Sequence, residues 1–554
     1  MKNSKKLTKW DVVALAVIML FYSFVSFIDL GDSLVPTTQP DMGSGDKREY
    51  ITYAVLNSEA ELGELLIYKG LGVCGVTVYK YENEGWQEIA RAVCKDIYEW
   101  NVIPLEGRAQ TLCVSVGGDS VTELYEAAFL SADGSLLAVN TKDCLLFDEQ
   151  ELVPQLPSYQ NGMYFDENYH ARTAYEHIKG ITPYEITHPP LGKILISVGI
   201  GLFGMNPFGW RFMGNIFGIL MLAVIYVFAK RIFASTYFAF AATLFLALDF
   251  MHFTQTRIGL IDSFAVFFIL LAYYFMYLYY DSGAEELPQK RALVILALCG
   301  IAFGLGIASK WIALYGGLGL AVLFTASLVR RTKEGEKPQR TCMWCLLFFI
   351  AVPFVIYFAS YIPYYTAEPE VSAWKIFWDN QKYMLAYHGG LETQHDFESV
   401  WYTWPLVYRP IWYYGSKELA YEGLCSTIVA MGNPAVWWCG SASLLFLLFK
   451  PKKQRSELFI IAGALSQYIP WAFISRSTFI YHFFASVPFI ILALTATLKM
   501  LAERFKPCKA MAPALLVTAL VLFVLFYPVI SGCVADRGYV LQLLTWFDSW
   551  KLCY

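Results

Sequence analysis

The sequence predicts an all-α polytopic membrane protein of about eleven transmembrane helices carrying an extracytoplasmic β-sandwich insert, and three observations carry that prediction. Apolar residues make up 57% of the 554-residue chain and its mean hydropathy is +0.44, more apolar surface than a soluble fold can hide. Those residues fall in separate runs, most of them long enough to cross ~30 Å of hydrocarbon. Between the first and second runs lies a long polar stretch whose apolar residues alternate with the period of two expected of strands. The net charge of -4 and pI near 6.0 exclude a general basic field for nucleic acid.

The first apolar run, residues 12–30, follows Lys2, Lys5, Lys6 and Lys9. It has the charged start of a signal peptide and the length of a span, and no small-residue cleavage site follows, so residues 1–35 are expected to form an uncleaved first helix with a cytoplasmic N-terminus. Residues 36–158 form the insert, with strand-like pieces at 65–68, 76–79, 111–115 and 136–139 between Gly, Asn and Asp turns. The order of these pieces around Trp86 resembles the discoidin or carbohydrate-binding jelly-roll pattern, over this insert alone. Such a domain either binds a glycan or peptide or acts as a spacer, and aromatics such as Trp86 and Trp100 serve equally as core or as ligand platform. Its cysteines Cys74, Cys94, Cys113 and Cys144 are free to pair or to stay as buried thiols, a choice that spacing leaves open.

Residues 159–210 form the first external loop with interfacial helices, and its apolar stretch 194–203 is too short to span before Asn206-Pro207. Residues 211–531 contain spans two to eleven, at 212–230, 235–251, 259–280, 291–308, 312–329, 342–362, 432–449, 457–474, 478–498 and 511–531, with an external loop at 363–430. Residues 532–554 are an external tail. Alternation from a cytoplasmic N-terminus makes every inside loop basic, at Lys230-Arg231, Lys290-Arg291, 330–340, 450–455 and 504–509, as the positive-inside rule requires. The chemistry is therefore sought on the external side.

Asp166 and Glu167 are adjacent carboxylates in that first external loop. Acids at a helix start favour the macrodipole, and a general base facing a membrane-borne substrate must also be an acid held near the lipid surface. Spacing alone leaves both readings open. Arg211, Arg257, Lys310 and Arg476 depart from the positive-inside pattern, each at the outer end of a span. A single such cation snorkels harmlessly to the interface, but four on one face suggest a shared anion, for which Arg offers a planar fork and Lys310 a compact charge. His188-Pro-Pro-Leu-Gly-Lys193 makes a rigid turn, with Lys193 either an interfacial anchor or a partner of the acids or of phosphate. In the 363–430 loop His395 and Trp404 stand in an aromatic stretch that also holds Trp401 and Trp412. No Walker loop, dinucleotide fingerprint, Gly-x-Ser-x-Gly elbow or metal-spaced cysteine set is present, and seven scattered histidines, His170 among them, predict no metal cage.

The ordered motifs Phe165-Asp-Glu-Asn-Tyr-His-Ala-Arg-Thr173, His188-Pro-Pro-Leu-Gly-Lys193, Arg257-Ile-Gly-Leu-Ile-Asp262, Ala308-Ser-Lys-Trp311, Gln381-Lys-Tyr-Met-Leu-Ala-Tyr-His388 and Met431-Gly-Asn-Pro-Ala-Val-Trp-Trp438 run through the membrane part. With them, residues from about 160 to 500 resemble the bacterial protein O-mannosyltransferases, relatives of the dolichyl-phosphate-mannose:protein mannosyltransferases. The resemblance implies the eleven-span type C glycosyltransferase fold with its active site at the outer membrane face, and it matches Asp166 to the catalytic base and Glu167 to its supporting acid. It further implies an inverting transfer of mannose from a polyprenyl-phosphate-mannose donor to Ser or Thr hydroxyls of secreted proteins, in the plasma membrane, with no required cofactor and divalent-metal involvement left open. Where the family carries His-Pro-Tyr this chain reads His395-Asp396-Phe397, so detailed acceptor roles do not transfer. A same-fold transferase acting on a lipid or cell-wall polymer, and a non-enzymatic lipid-sugar binder or flippase, remain as alternative readings.

Overall fold

Each of the eleven apolar runs is helical in the computed structural model, which describes residues 5–140, 144–283, 285–390, 395–416, 419 and 423–553. The chain divides into two compact units, one of residues 1–28, 169–199 and 211–554, the other of residues 29–168 and 200–210. In chain order the longer helices are α1 (Lys9–Phe27), α2 (Glu167–Lys179), α3 (Leu191–Phe203), α4 (Pro207–Phe233), α5 (Thr236–Ala247), α6 (Phe250–Thr256), α7 (Asp262–Asp281), α8 (Gln289–Ser309) and α9 (Ile312–Lys333). They continue as α10 (Pro338–Leu346), α11 (Val352–Ala359), α12 (Ile362–Ala367), α13 (Ala373–Gly390), α14 (Pro434–Phe449), α15 (Arg455–Tyr468), α16 (Val487–Arg504) and α17 (Met511–Ser531).

Among the described residues, eight helices are long and apolar enough to cross a bilayer, or nine when the bent pair α5/α6 counts as one span. The predicted span at 235–251 is thus broken, by a 59° bend. Its cause is Asp249, whose carboxylate caps the new helix by accepting the His252 amide at 3.1 Å and also takes the Trp437 indole N–H at 2.7 Å. Two further expected spans fall below the length of a single crossing helix: α14 is a shorter apolar helix, and α15 continues into a 3-10 turn over Ile469–Phe473. Close helix approach rests on small residues, as in Gly319, where a Cβ would lie 2.1 Å from the Tyr273 hydroxyl.

Hydrogen bonds define the two ends of the helical unit. At one end Lys5 pairs with Asp281 at 2.5 Å, Lys230 with Asp11 at 2.9 Å, and Arg330, Arg331 and Arg455 donate to carbonyls of residues 280–287 at or just beyond the end of α7. The start of α1, the ends of α4, α7 and α9 and the start of α15 therefore share one side. Arg257 marks the other, donating to Ser26 O, Ile28 O and Ser531 O at 3.1, 2.5 and 3.5 Å, beside the ends of α1 and α17.

The second unit carries an antiparallel seven-stranded sheet of β1 (Lys47–Lys69), β2 (Cys74–Glu82), β3 (Gly85–Cys94), β4 (Glu99–Pro104), β5 (Arg108–Asp119), β6 (Leu124–Ser131) and β7 (Leu136–Leu137). All four predicted strand pieces lie in or directly beside these strands. β1 is the spine: its first half pairs with β5, its second half with β4 and β6, and the register slips between Val55 and Ala60. That irregularity lets one strand serve both layers of a sandwich, whose interior holds Leu65, Ile67, Val76, Val78, Leu112, Val114 and Phe129. The β2–β3 turn places Asn83 and Glu84 at φ 50° and 61°, the pair of positive angles that matches hairpin twist. Trp100 is 4% exposed and packs on Tyr68, whereas Trp86 is 44% exposed beside Tyr53 and Tyr81. Trp100 is core and Trp86 is surface.

Glu99, at the start of β4, is partly buried, and burial with help from Asp96 and Glu167 pushes its carboxyl up to about 8. The folded state therefore holds a proton there that the unfolded chain has released, and the stability this contributes is complete below pH 4.5 and declines as pH rises through about 8. Glu99→Gln, permanently neutral, should leave the unfolding midpoint of the purified protein unchanged at pH 5 and raise it by several degrees at pH 9. Equal midpoints at both pH values would contradict the burial of this acid.

Candidate functional site

Phe165 adopts a left-handed φ of 53°, which costs a non-glycine residue roughly 1–2 kcal/mol, and it turns the chain into α2. Asp166 directly precedes that helix and Glu167 is its first residue, so the doublet does sit at a helix start. The two acids are nevertheless not equivalent. Glu167 is fully buried and its Oε2 accepts the Tyr164 amide at 3.2 Å, closing its own turn, while Asp166 is only half-buried. Both belong to the unit of the insert.

The helical unit gathers its polar residues around an acid that the sequence reading missed. Glu185 lies in the Tyr-Glu-Ile-Thr-His run leading to the proline pair. It is 6% exposed, and its Oε2 receives the Lys193 ammonium at 2.5 Å while Oε1 meets His188 Nδ1 at 3.1 Å and the Thr187 amide at 2.7 Å. Lys193 is completely buried and also donates to Glu185 O, His188 O and the Tyr364 hydroxyl. Burial works against the charge on each partner, but each is overruled by the other, so Lys193 is raised and Glu185 held well below the usual carboxylate range. The imidazoles around this pair are held low: burial lowers His170 and His188 against the opposing pull of Glu185, and burial, then His188 and Arg476, brings His388 to about 4. His188 faces His388 across 5.2 Å and His170 across 5.6 Å, and His388 Nε2 reaches Thr187 O at 2.8 Å.

The charges of Lys310 and Arg476 both reach His388, although the two residues lie far apart in sequence. The Lys310 ammonium is held by both oxygens of Asp262 at 2.9 and 2.8 Å. Arg476 instead lines a cavity of about 670 Å³ with Glu398, Ser399, Trp401, Tyr408, Arg409 and Trp471. Behind two of these lining residues stands Trp404, fully buried, whose indole N–H donates to Ser399 and whose ring meets Trp471 at 5.6 Å and stacks on His482 at 6.0 Å. An apolar groove of about 610 Å³ between α9 and α15, lined by Leu318, Val322, Leu465 and Phe473, shares Ile474 with this cavity. An apolar groove and a polar chamber with two guanidinium groups thus adjoin at one shared lining residue.

The other expected residues distribute as follows. Arg211 is fully buried in α4. Arg257 is committed to three backbone carbonyls and covers the Phe253 ring at 4.8 Å. His188 and Lys193 belong to the Glu185 cluster. His395 is exposed, its ring against Phe479 at 5.1 Å. Glu185, His388, His482, Asp262 and Arg409 were not singled out by sequence. The one signal available for Glu185 was a lone acid eight residues before a lysine in an otherwise apolar helix start.

Comparison with known proteins fits this arrangement. The family model described as dolichyl-phosphate-mannose-protein mannosyltransferase matches residues 155–365, and that of the C-terminal four-transmembrane region of protein O-mannosyltransferase matches residues 373–550. A polyprenol-phosphate-mannose–protein mannosyltransferase of Mycobacterium tuberculosis is 26% identical over 480 residues, covering 76% of this chain and 88% of the relative. Its counterpart in Mycolicibacterium smegmatis is 25% identical over 454 residues, 70% of this chain and 87% of the relative. Among solved structures, a protein O-mannosyltransferase complex of Saccharomyces cerevisiae bound to the sugar donor superposes with a TM-score of 0.63 at 15% identity, over 70% of this chain and 89% of that one. The fold is that of the type C membrane glycosyltransferases, and with both family models in register along more than two thirds of its length, the chain belongs to the protein O-mannosyltransferase family of membrane mannosyltransferases.

Proposed function

We propose that this enzyme works at the outer face of the plasma membrane, with its N-terminus in the cytoplasm, and moves mannose with inversion from polyprenyl-phosphate-mannose to Ser or Thr hydroxyls of secreted proteins. The observation that carries the donor assignment is the shared lining residue Ile474, where the apolar groove adjoins the cavity lined by Arg476. A lipid-phosphate sugar has this same division between an isoprenoid tail and a charged, hydroxyl-rich head. The basic residues gathered at the end of the bundle opposite Arg257 support the orientation, since Lys and Arg are retained on the cytoplasmic side.

Asp166 accepts the acceptor hydroxyl proton as that oxygen bonds to the anomeric carbon on the face opposite phosphate, the anomeric carbon–oxygen bond to phosphate breaks, and polyprenyl phosphate leaves. Arg476 and Arg211 receive the leaving charge, with Lys310 adding its field. Lys193 and Arg257, whose donors are engaged with Glu185 and with backbone carbonyls, hold the walls in place. Glu167 positions the base, while His188 orders the Glu185 loop, and His395 and Trp404 shape the acceptor side.

The test is purified protein reconstituted with polyprenyl-phosphate-mannose and a Ser/Thr peptide. Transfer is expected, and Arg476→Ala should lower kcat/KM for the donor about 100-fold, as for loss of a transition-state charge partner, with Arg476→Lys recovering part of it. Binding of the donor without transfer, or transfer undiminished in the alanine variant, would overturn the reading. Mannose appearing on a lipid or polymer instead of the peptide would favour the alternative acceptor.

A further inference from the structure

Four of the twelve cysteines are arranged in two facing pairs, one in each unit. Cys74 and Cys94 are direct partners in the antiparallel register of β2 and β3, at the end of the hairpin away from its turn, and are 0% and 2% exposed. Cross-strand partners bring their Cβ atoms to about 4.5–5.5 Å, and the two thiols lie in hydrogen-bond contact.

The second pair joins segments far apart in sequence. Two short strands, β8 (Ile411–Gly415) and β10 (Thr427–Ala430), pair in the 363–430 loop, and β9 (Leu424–Cys425), which precedes β10, pairs with β11 (Ala535–Asp536) of the tail. Beyond β11 the tail returns to the same loop: Ser549 donates to Tyr408 O at 2.5 Å, and Trp550, 1% exposed, donates to Val407 O at 2.6 Å. This brings Cys553, 9% exposed, into thiol contact with Cys425, 4% exposed. Tyr408 lines the cavity beside Arg476, so the tail braces one wall of that chamber.

All four sulfurs stand as thiols in the structure. We infer that Cys74–Cys94 and Cys425–Cys553 are oxidised to disulfides in the cell, the first closing the insert's hairpin and the second stapling the tail to the loop that forms the cavity wall. The inference rests on the outer-face orientation proposed above, because disulfides persist on the oxidising side of a membrane. Each pair gives up two protons and two electrons as its S–S bond forms, and an extracytoplasmic protein disulfide takes them up by thiol–disulfide exchange, becoming a dithiol. Cys342, Cys345 and Cys508, at the basic end of the bundle, fall on the reducing side and stay as thiols.

The test uses the full-length protein from acid-quenched cells, alkylated with N-ethylmaleimide in denaturant without reductant and digested for mass spectrometry. Peptides joined through Cys74–Cys94 and through Cys425–Cys553 are expected, each lighter by two hydrogens than its separate parts, with Cys342, Cys345 and Cys508 carrying maleimide. In parallel, a membrane-impermeant maleimide is applied to intact cells. If the four cysteines carry N-ethylmaleimide while Cys342 and Cys508 are protected in intact cells, the disulfide inference falls and the orientation stands. If the impermeant reagent reaches Cys342 and Cys508, the orientation itself falls and takes the inference with it. A different pairing, such as Cys425 with Cys533, overturns the second staple. As an independent readout, reductant should lower the unfolding midpoint of the parent protein by several degrees. It should do so by less in the Cys425→Ser/Cys553→Ser variant, and an equal drop in both would count against the staple.

Discussion

Replacing Asp166 by Asn should reduce mannosyl transfer about 1000-fold or more, since a positioned general base contributes 10²–10⁴-fold. The substitution keeps shape and removes only the capacity to take the acceptor proton. Asp166 is half-buried at the start of α2, so expression, membrane insertion and donor binding should be retained. The measurement is transfer of labelled mannose to peptide by reconstituted protein, with donor affinity read separately. Retained turnover would remove Asp166 from the mechanism. Glu167→Gln serves as the comparison: Glu167 is fully buried and tied to the Tyr164 amide, so its loss should lower activity through the geometry of its neighbour and cost stability as well.

The largest effect on stability is expected at Glu185. Removing its charge by Glu185→Gln leaves the Lys193 ammonium buried at 0% exposure without its carboxylate, and breaking a buried pair from one side costs about 3–5 kcal/mol. The variant should unfold at a midpoint many degrees lower in detergent, or fail to accumulate. Lys193→Met alone should be comparably harmful, because Glu185 then loses the cation that holds its carboxyl low. The double variant should recover most of the loss, since it removes both charges together. Additive losses in the double variant would show that the two residues do not act as a pair. The pair also sets a direction with pH: Glu185 is held well below 4.5 when folded, so the stability it supplies is complete above pH 4.5 and lost as pH falls through its lowered value.

Much of this was legible in the chain. The apolar runs gave the helices because a membrane requires every backbone polar group to be satisfied within its own segment. The alternation at 65–68, 76–79 and 111–115 gave the sandwich strands for the same local reason. The bend at Asp249 was not legible: the apolar run continues past it through Phe250 and Met251, and Trp437 and Asn433 arrive from α14 to share the capping carboxylate. The long bent path of β1 was hidden as well, since its slip between Val55 and Ala60 depends on which strand pairs with each half. Trp404 read as a loop aromatic but is buried behind the chamber's lining, because His482, Trp471 and Ser399 pack around it.

What the sequence determined by itself was the class of the molecule, the charge pattern of its loops and, through ordered motifs, the family and the candidate acids and cations. Those are properties of local composition and order, which survive without knowledge of distance. Only the tertiary structure decided which of the cations remains turned toward a cavity. Lys193 found Glu185, Lys310 found Asp262, Arg257 found the carbonyls of Ser26, Ile28 and Ser531, and Arg211 is buried in α4, while Arg476 lines the chamber beside the apolar groove. A cation's role depends on the anions and carbonyls brought to it, from 8 positions away for Lys193 to 274 for Arg257, and charge spacing along a chain does not by itself say which of them it meets.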